Sequence, residues 1–298
     1  MQTIEGIIEQ ETTARNVTPI AARSFGSRMM NLHSDSSDYD ILLLFAQEPE
    51  EYVQVGGYKD TFSSSYNTTD IQSWNIKKFA ELLNNSNPTA IEFLQSPVEY
   101  YVNEEYGHWL DILYDMASES FQPIAMYYHY HSLAKDNYEK YIEESVYDST
   151  GTRYKILESY KHDEYYIEGN GIKQYITIDS NSEFERSTTK QTAKRYVYIL
   201  RALLYAEYIK KTGMLPNINF PEFTEEVSLT NLGMSTEQEE SVRRLVSMKK
   251  DGKASAIVED APRGYIERKL QDEPDHDEFE NRQMDYKTIN QFIKSVIN

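Results

Sequence analysis

A chain of 298 residues with 39% apolar content has material for one or two ordinary domains. It carries 30 Lys and Arg against 49 Asp and Glu, a net charge of −19. That weighs against coating nucleic acid or an anionic membrane by bulk electrostatics, though a nucleic-acid end held in a locally basic groove stays open. Lacking cysteine, the chain has no disulfides, no thiolate zinc site and no cysteine nucleophile. No apolar run approaches the ~18 residues of a membrane span.

The opening, MQTIEGIIEQETTAR, is mixed and amphipathic rather than leader-like, so a soluble, cytoplasmic protein is expected. Residues 1–14 have helical spacing, with Ile4, Ile7 and Ile8 on one face. TPIAARSFG is an apolar run broken by Gly26, and DYDILLLF reads as a buried strand opened by alternating carboxylates. Residues 46–66, with Gly56, Gly57 and many serines, read as a loop excursion. TTDIQS predicts a short strand, NIKKFAELLNN a helix stopping at Asn87-Pro88, and PTAIEFLQS a second helix stopping at Pro97.

Beyond residue 103 the texture changes. AMYYHYHSLAKDNYEKYIEE and TAKRYVYILRALLYAEYIKKTG are long helical patterns, the second closed by Gly213. Residues 146–185 between them read as irregular, with a hairpin at YYIEGNGIKQYITI. The acidic QDEPDHDEFENR predicts loop, and KTINQFIKSVI a last helix. The expected fold is an α/β (α+β) unit with a short mixed sheet over residues 1–103, then a mainly helical unit over 104–298. The 25 Tyr suit half-wet cores and substrate grooves, since the ring can be buried while the hydroxyl stays wet.

Chemistry concentrates in residues 25–45, FGSRMMNLHSDSSDYDILLLF. Gly26-Ser27 follows an apolar run, where glycine can take positive φ and let backbone amides approach a phosphate. Asp38 and Asp40, at i and i+2 of a strand, project from the same face. Two like charges so close are costly unless a divalent cation sits between them, and Mg²⁺ shares such oxygen ligands with substrate phosphates. A Gly-Ser turn facing an Asp-x-Asp pair is a phosphoryl-transfer constellation. Arg28 can reach a triphosphate oxygen or pair with Asp35 or Asp38.

Apolar-Gly-Ser followed after about ten residues by Asp-x-Asp resembles the signature of DNA-polymerase-β-like nucleotidyltransferases. GSR…SDYD, TTDIQSWNIKKFAELL, SNPTAIEFLQSP and AKRYVYILRALL together look like the branch associated with RNA-ligase repair operons. MMNLHSDS departs from the pattern, because relatives carry a Gly-containing loop there. The resemblance implies transfer of an NMP from an NTP to a hydroxyl, an RNA 3′ end above all, with a possible RNA-ligase or repair partner. It implies two Mg²⁺ or Mn²⁺ ions on Asp38, Asp40 and a third carboxylate, which is Asp70 by position, with Glu92 the alternative.

A second basic feature is residues 186–211, where seven Lys and Arg face one acid, Glu207. At 100° per residue, Lys190, Lys194 and Arg201 share a stripe with Tyr208, fit to hold a triphosphate or RNA backbone while Tyr stacks a base. Lys194 is the first choice for the triphosphate, and a solvated cationic face is the plain alternative. His129 and His131 fall on different helix faces and make a poor zinc pair, and His33, in the loop before the Asp pair, can approach substrate or is simply an exposed loop residue. Neither GxGxxG nor a P-loop occurs. A protein hydroxyl as acceptor, or a catalytically weak nucleotide- or partner-binding module of the antitoxin type, are the rival readings.

Overall fold

The computed structural model describes residues 3–161, 163–187 and 191–297. Among them are two five-stranded sheets and eleven α-helices, the expected mixed α/β architecture. The first sheet forms from β1 (Thr18–Phe25), β2 (Tyr39–Ala46), β3 (Thr61–Tyr66), β4 (Thr69–Asn75) and β5 (Glu99–Val102), ordered β3-β4-β2-β1-β5. Helix α1 (Ile4–Arg15) precedes it, α2 (Gly26–Met29) is a single turn after β1, and α3 (Ile76–Asn84) and α4 (Pro88–Gln95) follow β4.

β2 and β4 pair in parallel, while every other pairing in this sheet is antiparallel. The excursion after β2 makes this possible. It carries the chain out to the edge, where its last residues, 61–66, form β3 rather than the loop expected there. A turn at Asn67, at φ +49°, then returns the chain as β4 beside β2. The apolar run of β2 is buried on both faces, as parallel central strands require. Ile41 and Leu43 pack with Ile7 and Ile8 of α1, and Leu42 and Leu44 join the main core.

Seven further helices follow: α5 (His108–Ser120), α6 (Pro123–Tyr141), α7 (Ala193–Thr212), α8 (Phe220–Glu226), α9 (Thr236–Lys250), α10 (Arg263–Lys269) and α11 (Tyr286–Ile297). This half is less purely helical than the sequence suggested. Residues 145–186 build a second, antiparallel sheet of β6 (Ser145–Asp148), β7 (Arg153–Ser159), β8 (Glu164–Gly169), β9 (Ile172–Thr177) and β10 (Phe184–Arg186). The expected hairpin joins β8 to β9 through Asn170 and Gly171, at φ +50° and +74°, the left-handed pair a two-residue hairpin turn needs. The remaining strands leave little trace in the sequence because they are short and mix Tyr with charges instead of alternating cleanly.

One apolar cluster runs from Ile20 through α3, α4, α6 and α7 to Phe292 of α11. Within it Glu92 of α4 and Arg201 of α7 form a buried ion pair at 2.8 Å, their side chains 5% and 4% exposed. The Tyr130 hydroxyl of α6 donates to the same Glu92 oxygen at 2.8 Å. Removing one partner from such a pair leaves an uncompensated buried charge. Glu92→Ala is therefore expected to destabilise the fold by about 3–5 kcal/mol in urea denaturation, and Glu92→Met combined with Arg201→Met to recover most of it.

Candidate active site

β1 ends at Phe25, and the chain turns at Gly26 with φ +66°. A Cβ on Gly26 would lie 2.5 Å from Asp40 Oδ2, so glycine is required there both by conformation and by the carboxylate pressed against it. Cross-strand register explains the approach: Asp40 lies opposite Phe25 on β1 and opposite Asp70 on β4. Asp38 lies immediately before β2. Three carboxylates thus gather at one end of the central strands, with Asp40 half-buried and Asp38 and Asp70 exposed.

The electrostatics follow. Burial raises the Asp40 pKa above the ordinary aspartate value, and Asp70 and Asp38 raise it further, while Lys194 and Arg28 oppose them. Lys194 sits in the first turn of α7, so that interaction brings the helical half to the carboxylates. Arg28 is occupied differently from either expectation. Its guanidinium donates to the main-chain oxygens of Ser37, at 2.8 Å, and Asp38, at 3.2 Å, and lies 3.8 Å from the Tyr39 ring centroid. It braces the segment that presents the aspartates.

The unusual MMNLHSDS segment is held from the far half of the chain. Lys249, 4% exposed at the end of α9, donates to Leu32 O at 2.9 Å. The Phe220 amide donates to Met30 O at 3.1 Å, and Asn31 Nδ2 donates to Asn219 Oδ1 at 3.2 Å. His33 is partly buried, its Nδ1 without a partner, and burial, then Arg28, Lys250 and Lys249, depress its pKa. Lys249 also feels Lys194, so Arg28, Lys194, Lys249 and Lys250 gather near the loop that precedes the Asp pair in a chain of net −19. The sequence showed no sign of Lys249, which is 217 residues from its partner Leu32.

Gly26, Asp38, Asp40, Asp70, Arg28 and Lys194 therefore come together, with Ser27 buried in the same turn. Other candidates sit elsewhere. Glu92 is committed to Arg201 and Tyr130, which removes it from contention as the third carboxylate. Arg201 is buried against Glu92 instead of lying on a solvent-facing stripe. Tyr208 packs edge-on against Phe223, ring centroids 5.4 Å apart, and is not a free stacking surface. Lys190 lies outside the described residues, and α7 begins only at Ala193.

Among the described residues no group of three or more His, Cys, Asp or Glu side chains is placed to hold a metal ion. Mg²⁺ seldom needs one, since one or two carboxylates plus water and substrate phosphates complete its shell. The donor set fits such an ion: hard carboxylate oxygens, mutually repelling, with Gly26 leaving room beside Asp40.

A family model described as the RNA repair pathway DNA polymerase beta family, RlaP, matches residues 1–295. The chain belongs to the RlaP family. It is 26% identical over 196 residues to the uncharacterized protein YcgL of Bacillus subtilis (strain 168), a match covering 65% of this chain and 57% of YcgL. A solved nucleotidyltransferase-like protein from Exiguobacterium sibiricum 255-15 aligns over 98% of this chain and 75% of its own, at 12% identity and a TM-score of 0.29. Among the described residues of this RlaP member no helix is long and apolar enough to cross a membrane.

A carboxyl whose folded pKa is raised destabilises the fold once it ionises. The penalty is absent below the unfolded pKa and grows as pH rises toward the folded value. In metal-free buffer, Asp40→Asn should accordingly raise the melting temperature at neutral pH. The gain should shrink to nothing as pH falls below the ordinary aspartate pKa. An unchanged melting temperature at neutral pH would contradict the crowding inferred at Asp40.

Proposed function

We propose that the protein is a nucleotidyltransferase that moves a nucleoside monophosphate from an NTP to a hydroxyl, that of an RNA 3′ end. The observation that carries this reading is the Gly26 turn pressed on Asp40, in register with Asp70 and facing Lys194. In the reaction the acceptor oxygen bonds to the α-phosphorus, the bond to the bridging oxygen breaks, and pyrophosphate leaves.

Asp38, Asp40 and Asp70 would hold the divalent ions, Mg²⁺ or Mn²⁺, which when bound offset phosphate charge and acidify the attacking hydroxyl. The chain's own groups do the rest. The Gly26–Ser27 turn, which opens α2 without a side-chain cap, offers its amides to the β- and γ-phosphates. Lys194 supplies a cation from the opposite wall. Asp70, exposed on β4, would orient the acceptor hydroxyl and take its proton. Arg28 keeps Asp38 and Asp40 aimed by holding the backbone that precedes them. Arg28 and Lys194, the cations that act on Asp40, help an acidic chain receive an anionic substrate.

Incubation with labelled NTPs, Mg²⁺ and bulk tRNA tests the reading. Label on RNA supports it, label on protein favours a protein acceptor, and NTP binding without incorporation favours a binding module. Asp40→Asn should cut transfer by orders of magnitude while the protein stays folded, and near-normal activity would overturn the assignment. Lys194→Ala should raise the KM for NTP roughly ten- to a hundred-fold, an effect that shrinks with salt. Lys210, paired with Glu278 at 3.0 Å in the last turn of α7, serves as the control. Equal losses at both lysines would mean general electrostatics.

A further inference from the structure

The second sheet ends on either side in an edge strand, and the two edges are built differently. β10 is three residues long, and its Arg186 pairs with Glu144 at 3.0 Å, so it offers little backbone and presents charge. β9 has six residues, contains no proline and pairs with β8 without a register shift. Short length, charge, proline and bulges are the usual means of keeping an edge from recruiting another strand. β9 has none of them beyond one lysine, Lys173, whose charge faces Glu168 at 3.5 Å. Its Ile172 and Tyr175 are 55% and 71% exposed, and among the described residues no other edge strand exposes large apolar side chains.

Hydrogen-bond parity fixes which backbone groups of β9 are free. The two-residue turn at Asn170-Gly171 makes Gly169 and Ile172 the closing pair, and such a pair exchanges both of its hydrogen bonds. Antiparallel pairing then alternates, so Ile172, Gln174 and Ile176 bond to β8. Ile178 continues the series by donating to Asp163 O at 2.9 Å. Lys173, Tyr175 and Thr177 therefore turn their N–H and C=O groups outward from the edge. Side chains alternate as well. Ile176 and Ile178 pack on the small core of this sheet, which puts Ile172 and Gln174 on that face. Tyr175 stacks on Tyr166 on the other face, which Lys173 shares.

The run from Ile172 to Ile176, IKQYI, is self-complementary when reversed about Gln174. We propose that β9 pairs antiparallel with β9 of a second copy of this chain, about a two-fold axis at Gln174, joining two five-stranded sheets into one. Lys173 of each copy then lies opposite Tyr175 of the other. These are residues whose main-chain groups point outward, so each such pair exchanges two hydrogen bonds. The ammonium also meets an aromatic ring, a cation–π contact made twice. On the other face Ile172 falls opposite Ile176, and the two Gln174 amides, each able to donate and accept, face one another. An axis between two residues would set an outward-bonding residue against an inward-bonding one, so strand parity excludes it. Charge favours a second copy at this place: the chain carries −19 overall, yet these residues hold one cation and no acid. An interface that matches itself in this way is the isologous kind that closes as a dimer. The inference does not depend on the nucleotidyltransferase reading.

The chain has no cysteine, so a single introduced one reports the pairing without background. Facing Cα atoms of a non-hydrogen-bonded pair are about 4.5 Å apart, within reach of a disulfide. Gln174→Cys in the full chain, mildly oxidised with diamide, should therefore give a covalent dimer on a non-reducing gel. Thr177→Cys, exposed on the same strand, should give none, because in this register its two copies lie about 20 Å apart. Adding Tyr175→Pro to Gln174→Cys should abolish the dimer, since it removes an outward N–H that an edge strand does not need for its own sheet. Adding Ile172→Glu should do the same, and it changes only an exposed side chain, so it serves if the proline variant does not fold. The yield should rise with salt, because screening relieves the repulsion between two acidic chains. Equal cross-linking at positions 174 and 177, or a yield that falls with salt, means random or charge-driven contact and overturns the proposal. A folded Gln174→Cys variant that forms no dimer overturns it too, and leaves the edge to a strand of another protein.

Discussion

The structure turns on the placement of one half-buried carboxylate, Asp40, between two others and against a backbone turn. Like charges brought this close oppose folding, and their neighbourhood is shaped by the need to hold them. Gly26 yields the space that any side chain would occupy. Parallel pairing of β2 with β4 brings Asp70 level with Asp40. Arg28 spends its hydrogen bonds on the main chain ahead of the pair, and Lys194 returns some of the missing positive charge. Such a local expense, met by stability elsewhere, is how functional sites commonly persist in folded proteins.

That support comes from the other half of the chain. The apolar cluster joins the first sheet's helices to α6, α7 and α11 without interruption. Polar contacts add direction to this packing. The Glu92–Arg201 pair links α4 to α7, the helix whose first turn carries Lys194. Lys249 grips the loop between the Gly-Ser turn and the Asp pair from the end of α9. Each contact ties the segments that carry or flank the carboxylates to helices of the second half.

The second sheet has its own small core around Val146, Tyr165 and Ile167, apart from the main cluster. Its outer face is mixed, with Tyr166 and Tyr175 stacked at 4.5 Å beside a Glu168–Lys173 pair. Lys155 and Arg186 of this sheet pair with Glu143 and Glu144, whereas the described residues lining a cavity beside α7 include cations and no carboxylate. Charge of one sign, concentrated in a concave place, is what separates the site from the rest of this acidic surface.

Much of the site was legible in local sequence because its parts are local. Gly26, Asp38 and Asp40 fall within fifteen residues, strand periodicity puts the two aspartates on one face, and an apolar run of β2's length reads as a central strand. Asp70 was legible only as a residue type at a matching position, since what makes it a partner of Asp40 is the register of β2 against β4. Helical periodicity correctly grouped Lys194 with Arg201 on one side of α7, but it could not show that the core closes over the second and leaves the first exposed. The same limit separated Glu92 from Asp70: each is a carboxylate in a plausible segment, and only the packing of α4 on α7 commits Glu92 to Arg201. Lys249, and the cavity that Tyr198 lines with Lys194, depend on contacts between distant segments. Composition and spacing determined that the chain is acidic, mixed α/β and armed with an Asp pair after a Gly-Ser turn. Tertiary structure decided which charges neutralise one another and which are left to face a ligand, because that choice depends on distance and burial, neither of which is written in any one segment.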